Sequence, residues 1–355
     1  MSNNLLIITP GFPENENDDT CISALQIYLK GFIEKKWFDK IEVVSIFYPY
    51  VAKEYEWNTI SVRAFAFPQK NPLHKLQVGK KVFKKIIADK TISKPDIVHS
   101  FWLNHCAMIG ERLSNAWDIP HLCTLMGQDV HYTKRWQWLP ARKDLNLIAV
   151  SEFQKGYSKL PIKSTIHWGL ESVTLESSAK TYDLIGIGSL TPLKNYSAFV
   201  NVVGELARKH SGIKAIIIGN GPEMGHLTKQ IDRLGLRQNI ELMGHLTRKD
   251  TLSLLSHSKI LLHPSKFESF GMVIAEALQR GLFVVSKKVG IAGIHEKSRV
   301  ISSETEMVKE IDYILNGTED YPSVFNFDIS KTINGYIREY ISLTESWAKT
   351  KHVKS

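Results

Sequence analysis

Two carboxylates, Glu268 and Glu276, flank the run Ser269-Phe270-Gly271-Met272. Upstream, Lys259-Ile260-Leu261-Leu262 reads as a buried strand that Pro264 and Ser265 end. Ser269 is a candidate helix cap, and Met272 to Leu278 are good helix formers. The segment therefore predicts strand, tight loop, helix, with Glu268 in the loop and Glu276 two turns into the helix. Gly271 has no side chain, so a ligand can approach its backbone. The free N–H groups and positive dipole of the new helix suit a phosphate. Taken alone, the spacing also fits an ordinary parallel strand feeding an amphipathic helix, with Glu276 in solvent.

The preceding Pro264-Ser265, the internal Phe270-Gly271 and the following Glu276-Ala277-Leu278 with Gly281 make the pattern specific. It resembles the signature of retaining GT-B glycosyltransferases, in particular the large GT4-like, or group 1, family. The resemblance implies that Glu268 binds the hydroxyls of a donor sugar and that the backbone of Ser269, Phe270, Gly271 and Met272 holds sugar and diphosphate. Glu276 would bind the ribose. It further implies two turns, at Gly219 and Gly221 and at Gly244 and His245, whose backbone holds the nucleobase. Gly188-Ser189-Leu190 and Lys194 fall on the family's Gly-Arg-Leu-x-x-x-Lys, whose Arg and Lys neutralise the departing diphosphate. Lys194 matches, and Ser189 stands where the family has Arg. Losing one guanidinium contact could remove several kcal/mol of transition-state stabilisation unless Lys266 or Arg248 replaces it.

The first half resembles the family less sharply. Gly11 stands alone where the family has paired glycines near the donor phosphate. Pro95-Asp96-Ile97-Val98-His99 resembles the family's Pro-Asp-Val-Val-His. At Met126-Gly127-Gln128-Asp129 the family often has a His near the donor sugar; Gly127 and Asp129 match, and Met126 stands in the His position. His99 or His131 could serve instead, His99 being the candidate catalytic group, while packing is the plainer reading of either. The aromatic-basic run Lys134-Arg135-Trp136-Gln137-Trp138 suits sugar stacking, a membrane interface or plain packing.

The elements that must position these groups alternate. Strands are expected at Leu5–Thr9, Ile41–Phe47, Pro95–Ser100, His121–Leu125 and Leu147–Ser151. In the second half they are expected at Tyr182–Gly188, Lys214–Gly219, Asn239–Met243, Lys259–Leu262 and Phe283–Ser286. Helices lie between, and Gly290 and Gly293 replace the family's paired glycines. This alternation predicts an α/β protein of two doubly wound parallel sheets. The resemblance makes it GT-B: two Rossmann-like domains facing across a cleft. An acceptor-binding domain over 1–168 carries a C-terminal helix, 335–355, that packs back on it. A nucleotide-sugar-binding domain spans 169–334.

The 355 residues fit two domains, and 43% hydrophobic with 23% charged residues is a soluble globular composition. Cys21, Cys106 and Cys123 are an odd, widely spaced set, which argues against a disulfide framework. The N-terminus reads as a first strand and not as a signal peptide. No apolar stretch approaches the roughly 20 residues that span a bilayer. The net charge of +9 admits nucleic acid, an anionic membrane or an anionic substrate as partner. No nucleic-acid motif accompanies it. The basic helix Lys75–Lys90 carries Lys80, Lys81, Lys84 and Lys85 between apolar residues at helical spacing. That suits a core-facing helix with a solvated face, or a dock for anionic lipid.

No Asp-x-Asp metal pattern stands out, and no cofactor is expected. The implied chemistry is transfer of a sugar from a UDP- or GDP-linked donor to a glycan or lipid-linked acceptor, as in cell-envelope polysaccharide synthesis. It would run in the cytoplasm or at the inner face of the membrane. A non-catalytic GT-B subunit and a sugar-nucleotide epimerase on the same fold are the alternatives.

Overall fold

The structure, a computed structural model, describes residues 3–19, 21–68, 72–127, 129–130, 145–173, 179–317 and 325–352. The chain divides into two compact units, Met1–Gly169 with Asp328–Ser355, and Leu170–Phe327.

The first unit is one sheet flanked by helices. Its strands are β1 (Asn4–Gly11), β2 (Lys40–Tyr48), β3 (Lys53–Trp57), β4 (Ile60–Ala64), β5 (Ile97–Phe101), β6 (His121–Thr124), β7 (Asn146–Ala149) and β8 (Ile162–Thr165). They lie in the order β3-β4-β2-β1-β5-β6-β7-β8. The β1–β2, β1–β5 and β5–β6 pairs are parallel, and β5 is buried along its whole length, as a strand covered on both faces must be. Two features depart from expectation. β3 and β4 form an antiparallel hairpin at the edge. Asn58 and Thr59, both with positive φ, make its two-residue turn. β8 adds a strand beyond the expected last one, pairing parallel with β7.

Helices α1 (Ser23–Lys35), α2 (Pro72–Ala88), α3 (His105–Trp117) and α4 (Glu152–Tyr157) belong to this unit. On α2, Val78, Val82 and Ile86 are buried while Lys80, Lys81, Lys84 and Lys85 are exposed. The amphipathic pattern is thus a core-facing helix with a solvated lysine face. The side chain of Lys75, His131 and the run Lys134–Trp138 lie outside the described residues. Among those described, no helix is long and apolar enough to cross a membrane.

The second unit is wholly parallel. β9 (Tyr182–Ile187), β10 (Ala215–Ile218), β11 (Ile240–Gly244), β12 (Ser258–His263), β13 (Phe283–Ser286) and β14 (Ser298–Val300) lie in the order β11-β10-β9-β12-β13-β14. The short edge strand β14 was not anticipated. Helices α5 (Tyr196–Ala207), α6 (Met224–Arg233), α7 (Arg248–Ser256), α8 (Met272–Gln279) and α9 (Glu304–Asn316) connect the strands. One core joins Leu184, Ile217, Ile260 and Leu262 of the sheet to Phe199, Val203, Leu227 and Met307 of the helices. The final helix, α10 (Ile329–His352), returns to the first unit, where Tyr336 and Tyr340 are buried.

Candidate functional site

The sheet of the second unit reverses direction at its centre. From β9 the chain builds outward through β10 and β11, then returns to place β12 on the other side of β9. The loops after β9 and β12 therefore diverge at a topological switch point, where open parallel sheets bind ligands. Lys194 comes from the first loop and Glu268 from the second. The loops are laced together: Lys266 N–H donates to Leu193 O (2.8 Å), and Asn195 Nδ2 to Pro264 O (3.4 Å).

At this point the Lys194 ammonium donates to Glu268 Oε1. His263, the last residue of β12, approaches the same oxygen with Nε2 at 2.9 Å. An ionised carboxylate only accepts, so His263 donates. Burial alone would raise the Glu268 pKa, but the His263 hydrogen bond and the Lys194 charge outweigh it and hold the carboxyl at about 2. His263 is a partner that the sequence reading did not assign. The available signal was a polar residue closing an apolar strand directly before Pro264.

Beyond Glu268 the chain turns into α8. Gly271 takes φ +88°, and among the described residues no side chain caps the helix. The expected Ser269 cap is thus not made: Gly271 occupies the cap position, and its O accepts from Ile274 N (2.9 Å). The helix N-terminus at Met272 is left open to an anion. Phe270 and Gly271 are braced from β13's loop, where Ile291 N donates to Phe270 O (2.9 Å). A Cβ on Gly290 would lie 2.0 Å from that same oxygen, so only glycine fits. Glu276 is buried in α8, its Oε1 2.7 Å from Arg248 Nη1 of α7. Arg248 is therefore engaged with Glu276, whereas Lys266 is exposed beside the Lys194 loop. Ser189 is exposed.

The glycine turns lie side by side. Gly188 N donates to Ile218 O (3.0 Å), and Gly219 N to Gly244 O (2.8 Å). Gly219 has φ +146°, and a Cβ there would meet Gly188 O at 1.9 Å; one on Gly221 would meet Leu190 O at 2.4 Å. His245 is exposed at the end of β11. The second unit thus brings Gly188, Ser189, Lys194, Gly219, Gly221, Gly244, His245, Glu268 to Met272 and Glu276 to the C-terminal side of one sheet.

The first unit treats its candidates differently. His99 lies fully buried in β5. Its Nδ1 is hydrogen-bonded to Tyr340 (2.6 Å) and Tyr28 (3.3 Å), and its Nε2 to Thr124 (2.8 Å). Both ring nitrogens are taken, and burial pushes its pKa well below the usual value. The expectation of a catalytic His99 is corrected accordingly: it is a core group tying α10 to the sheet. Asp129 is also buried, its carboxylate accepting from the N–H groups of Leu103 (2.9 Å), Met126 (3.2 Å) and Gly127 (2.7 Å). It shapes the Met126–Gly127 turn, so the expected direct donor contact is replaced by a structural one. Gly11 ends β1 at an irregularity in the register with β2. Among the described residues no group of three His, Cys, Asp or Glu side chains could hold a metal ion.

The family model for glycosyl transferases group 1 matches residues 172–321, nearly all of the second unit. An uncharacterised glycosyltransferase of Bacillus subtilis, YqgM, is 28% identical over 134 residues, 37% of each chain. The 2-deoxystreptamine N-acetyl-D-glucosaminyltransferase of Niallia circulans is 31% identical over 104 residues, 29% of this chain and 27% of that one. The chain thus matches about a third of the length of these relatives. Among solved structures, HepE of Anabaena in complex with UDP superposes with a TM-score of 0.68. That match has 19% identity and covers 96% of this chain and 99% of HepE. The fold is GT-B, and the likeness to glycosyl transferases group 1 lies in the second unit.

Proposed function

We propose that the protein is a retaining glycosyltransferase that moves a sugar from a uridine-diphosphate sugar to a hydroxyl of a glycan or lipid-linked acceptor. The observation that carries this reading is the meeting of Lys194, Glu268 and His263 at the switch point, beside the open N-terminus of α8. HepE's complex with UDP supports a uridine nucleotide, and the Niallia enzyme's name makes N-acetylglucosamine the first sugar to test.

In this reading Lys194 and the N–H groups at Gly271 and Met272 receive the diphosphate, where an ammonium and a helix dipole stabilise an anion. Glu268 accepts from the sugar hydroxyls. Glu276 accepts from the ribose on the side that Arg248 leaves open, a carboxylate having about four acceptor sites. The bond from the sugar's C1 to the β-phosphate oxygen breaks. The acceptor oxygen joins C1 on the face the diphosphate leaves, and the acceptor proton passes to a departing phosphate oxygen. The products are glycosylated acceptor and UDP.

The test is thermal-shift and calorimetric binding of UDP, GDP and ADP. UDP is expected to raise the melting temperature, and Glu276→Ala to remove most of that shift. A panel in which no nucleotide binds would sink the proposal.

For the acceptor, the reading is a lipid-linked precursor of a cell-envelope polysaccharide, met at the inner face of the cytoplasmic membrane. The exposed Lys80, Lys81, Lys84 and Lys85 of α2 support it, since each basic residue near an anionic surface contributes about 1 kcal/mol. Changing the four to Glu is expected to abolish binding to vesicles rich in anionic lipid; binding at the wild-type level would remove the membrane from the scheme.

A further inference from the structure

Tyr196, the first residue of α5, is 1% exposed. Its ring packs against Gly186, where a Cβ would lie 2.9 Å from Tyr196 Cε1, and beside Phe199. A phenylalanine would fill that space equally well. Yet the residue carries a hydroxyl that is sealed from solvent and has no hydrogen-bond partner among the described residues. The hydroxyl lies 3.2 Å from the point a Cβ on Gly188 would occupy, and Lys194 Cε is 3.6 Å from the same point. Burial raises the phenol's pKa, and the charge of Glu268 raises it further. A buried hydroxyl without a partner is destabilising, so such a group calls for a state in which the partner is supplied.

We infer that Tyr196 is a positioning residue for Glu268, its hydroxyl taking over from the Lys194 ammonium when Lys194 turns to the diphosphate of a bound donor. This rests on the function proposed above. In the free protein, Lys194 from the β9–α5 loop and His263 from β12 share Glu268 Oε1, and the Tyr196 hydroxyl lies beside Lys194 at Gly188. An ammonium held on a carboxylate is neutralised, so Lys194 must release Glu268 to serve a phosphate. Glu268 would then keep His263 alone at the moment it must hold sugar hydroxyls in place. A tyrosine hydroxyl donates without bringing a charge. It steadies the carboxylate and does not compete for the diphosphate.

Tyr196→Phe tests this in two ways. In the otherwise wild-type free protein the hydroxyl bonds nothing, so its removal is expected to raise the melting temperature by about 2 °C or leave it unchanged. In a Lys194→Met background the hydroxyl already serves Glu268, so the same substitution is expected to lower the melting temperature. The same sign in both backgrounds overturns the inference. With ligand, Tyr196→Phe is expected to bind UDP like wild type. Its preference for UDP-N-acetylglucosamine or UDP-glucose over UDP should shrink by about tenfold, since only the sugar depends on Glu268. An unchanged preference also overturns it. Glu276→Ala separates the two levels: if that variant binds UDP normally, the donor-site reading itself has failed; if it loses UDP, the Tyr196 result stands on its own.

Discussion

Glu268→Gln is expected to cut sugar transfer by about a thousandfold while the protein stays folded. The amide keeps one acceptor oxygen for His263 but replaces the other with a donor, so a sugar hydroxyl loses its partner. It also removes the negative charge beside a C1 that becomes electron-poor as the diphosphate leaves. The same variant is expected to bind UDP at least as tightly as wild type. In the free protein Lys194 is held on this carboxylate, and the amide no longer competes with the phosphate for it. Steady-state release of UDP in the presence of acceptor, together with calorimetry, reads both effects. Transfer within tenfold of wild type would remove Glu268 from the chemistry.

The same carboxyl makes a pH prediction. Its pKa is about 2 in the folded protein, against an ordinary value near 4.5. A depressed folded pKa contributes stability that is fully present above the ordinary value and is lost as pH falls toward the folded one. The difference in melting temperature between wild type and Glu268→Gln should therefore narrow as pH drops from about 5 to about 3. Above that range Glu268 is ionised throughout, so it should contribute no acid limb to the rate between pH 5 and 8.

The second unit was legible because its information is local. Its strands are short apolar runs, its helices carry apolar faces, and Glu268, Gly271 and Glu276 sit within a single strand-loop-helix. Lys194 and Glu268 are far apart in sequence, and only the parallel order β9-β12 explains why they touch. His263 and Tyr196 were missed for the same reason, since their meaning lies in an oxygen that another loop delivers. The Ser269 cap failed differently. A serine's local preference for capping lost to a glycine turn that the bracing Ile291 and the close approach of Gly290 hold in place.

In the first unit the sequence carried a warning about His99 that a motif overrode. Ile97 to Phe101 is an apolar strand flanked by parallel neighbours, and every residue of it is buried. A histidine inside such a strand has to satisfy both nitrogens within the core, and here Tyr28, Thr124 and Tyr340 do so. Two of these partners come from helices at opposite ends of the chain, beyond the reach of any local pattern. Asp129 has the same origin: a matching Gly-x-Asp spacing, whose carboxylate turns inward to three backbone N–H groups. The β3–β4 hairpin escaped notice because its strands are only five residues long and the edge strand, Lys53–Trp57, carries three charged residues.

Lys194→Met is expected to be the more damaging of the charge substitutions, because the chain has Ser189 where the family places an arginine. With that guanidinium absent, Lys194 is the cation that the β9 loop itself brings to the switch point. Arg248 is already paired with Glu276, and the exposed Lys266 meets this loop through its backbone. A hydrogen bond to a charged group contributes about 1.5–3 kcal/mol, so affinity for UDP should fall by about ten- to a hundredfold. Affinity for uridine, which has no phosphate, should be unchanged. The rate should fall further, by about a thousandfold, because negative charge on the diphosphate grows as the bond to C1 breaks. Ser189 is exposed, so an arginine fits there without repacking. Ser189→Arg in the Lys194→Met background should therefore recover part of both losses. Rates of UDP release and the paired UDP and uridine affinities decide the matter. Equal losses for UDP and uridine would mean that Lys194 supports the fold of the site and does not meet the phosphate, and a rate within tenfold of wild type would hand the diphosphate to Lys266.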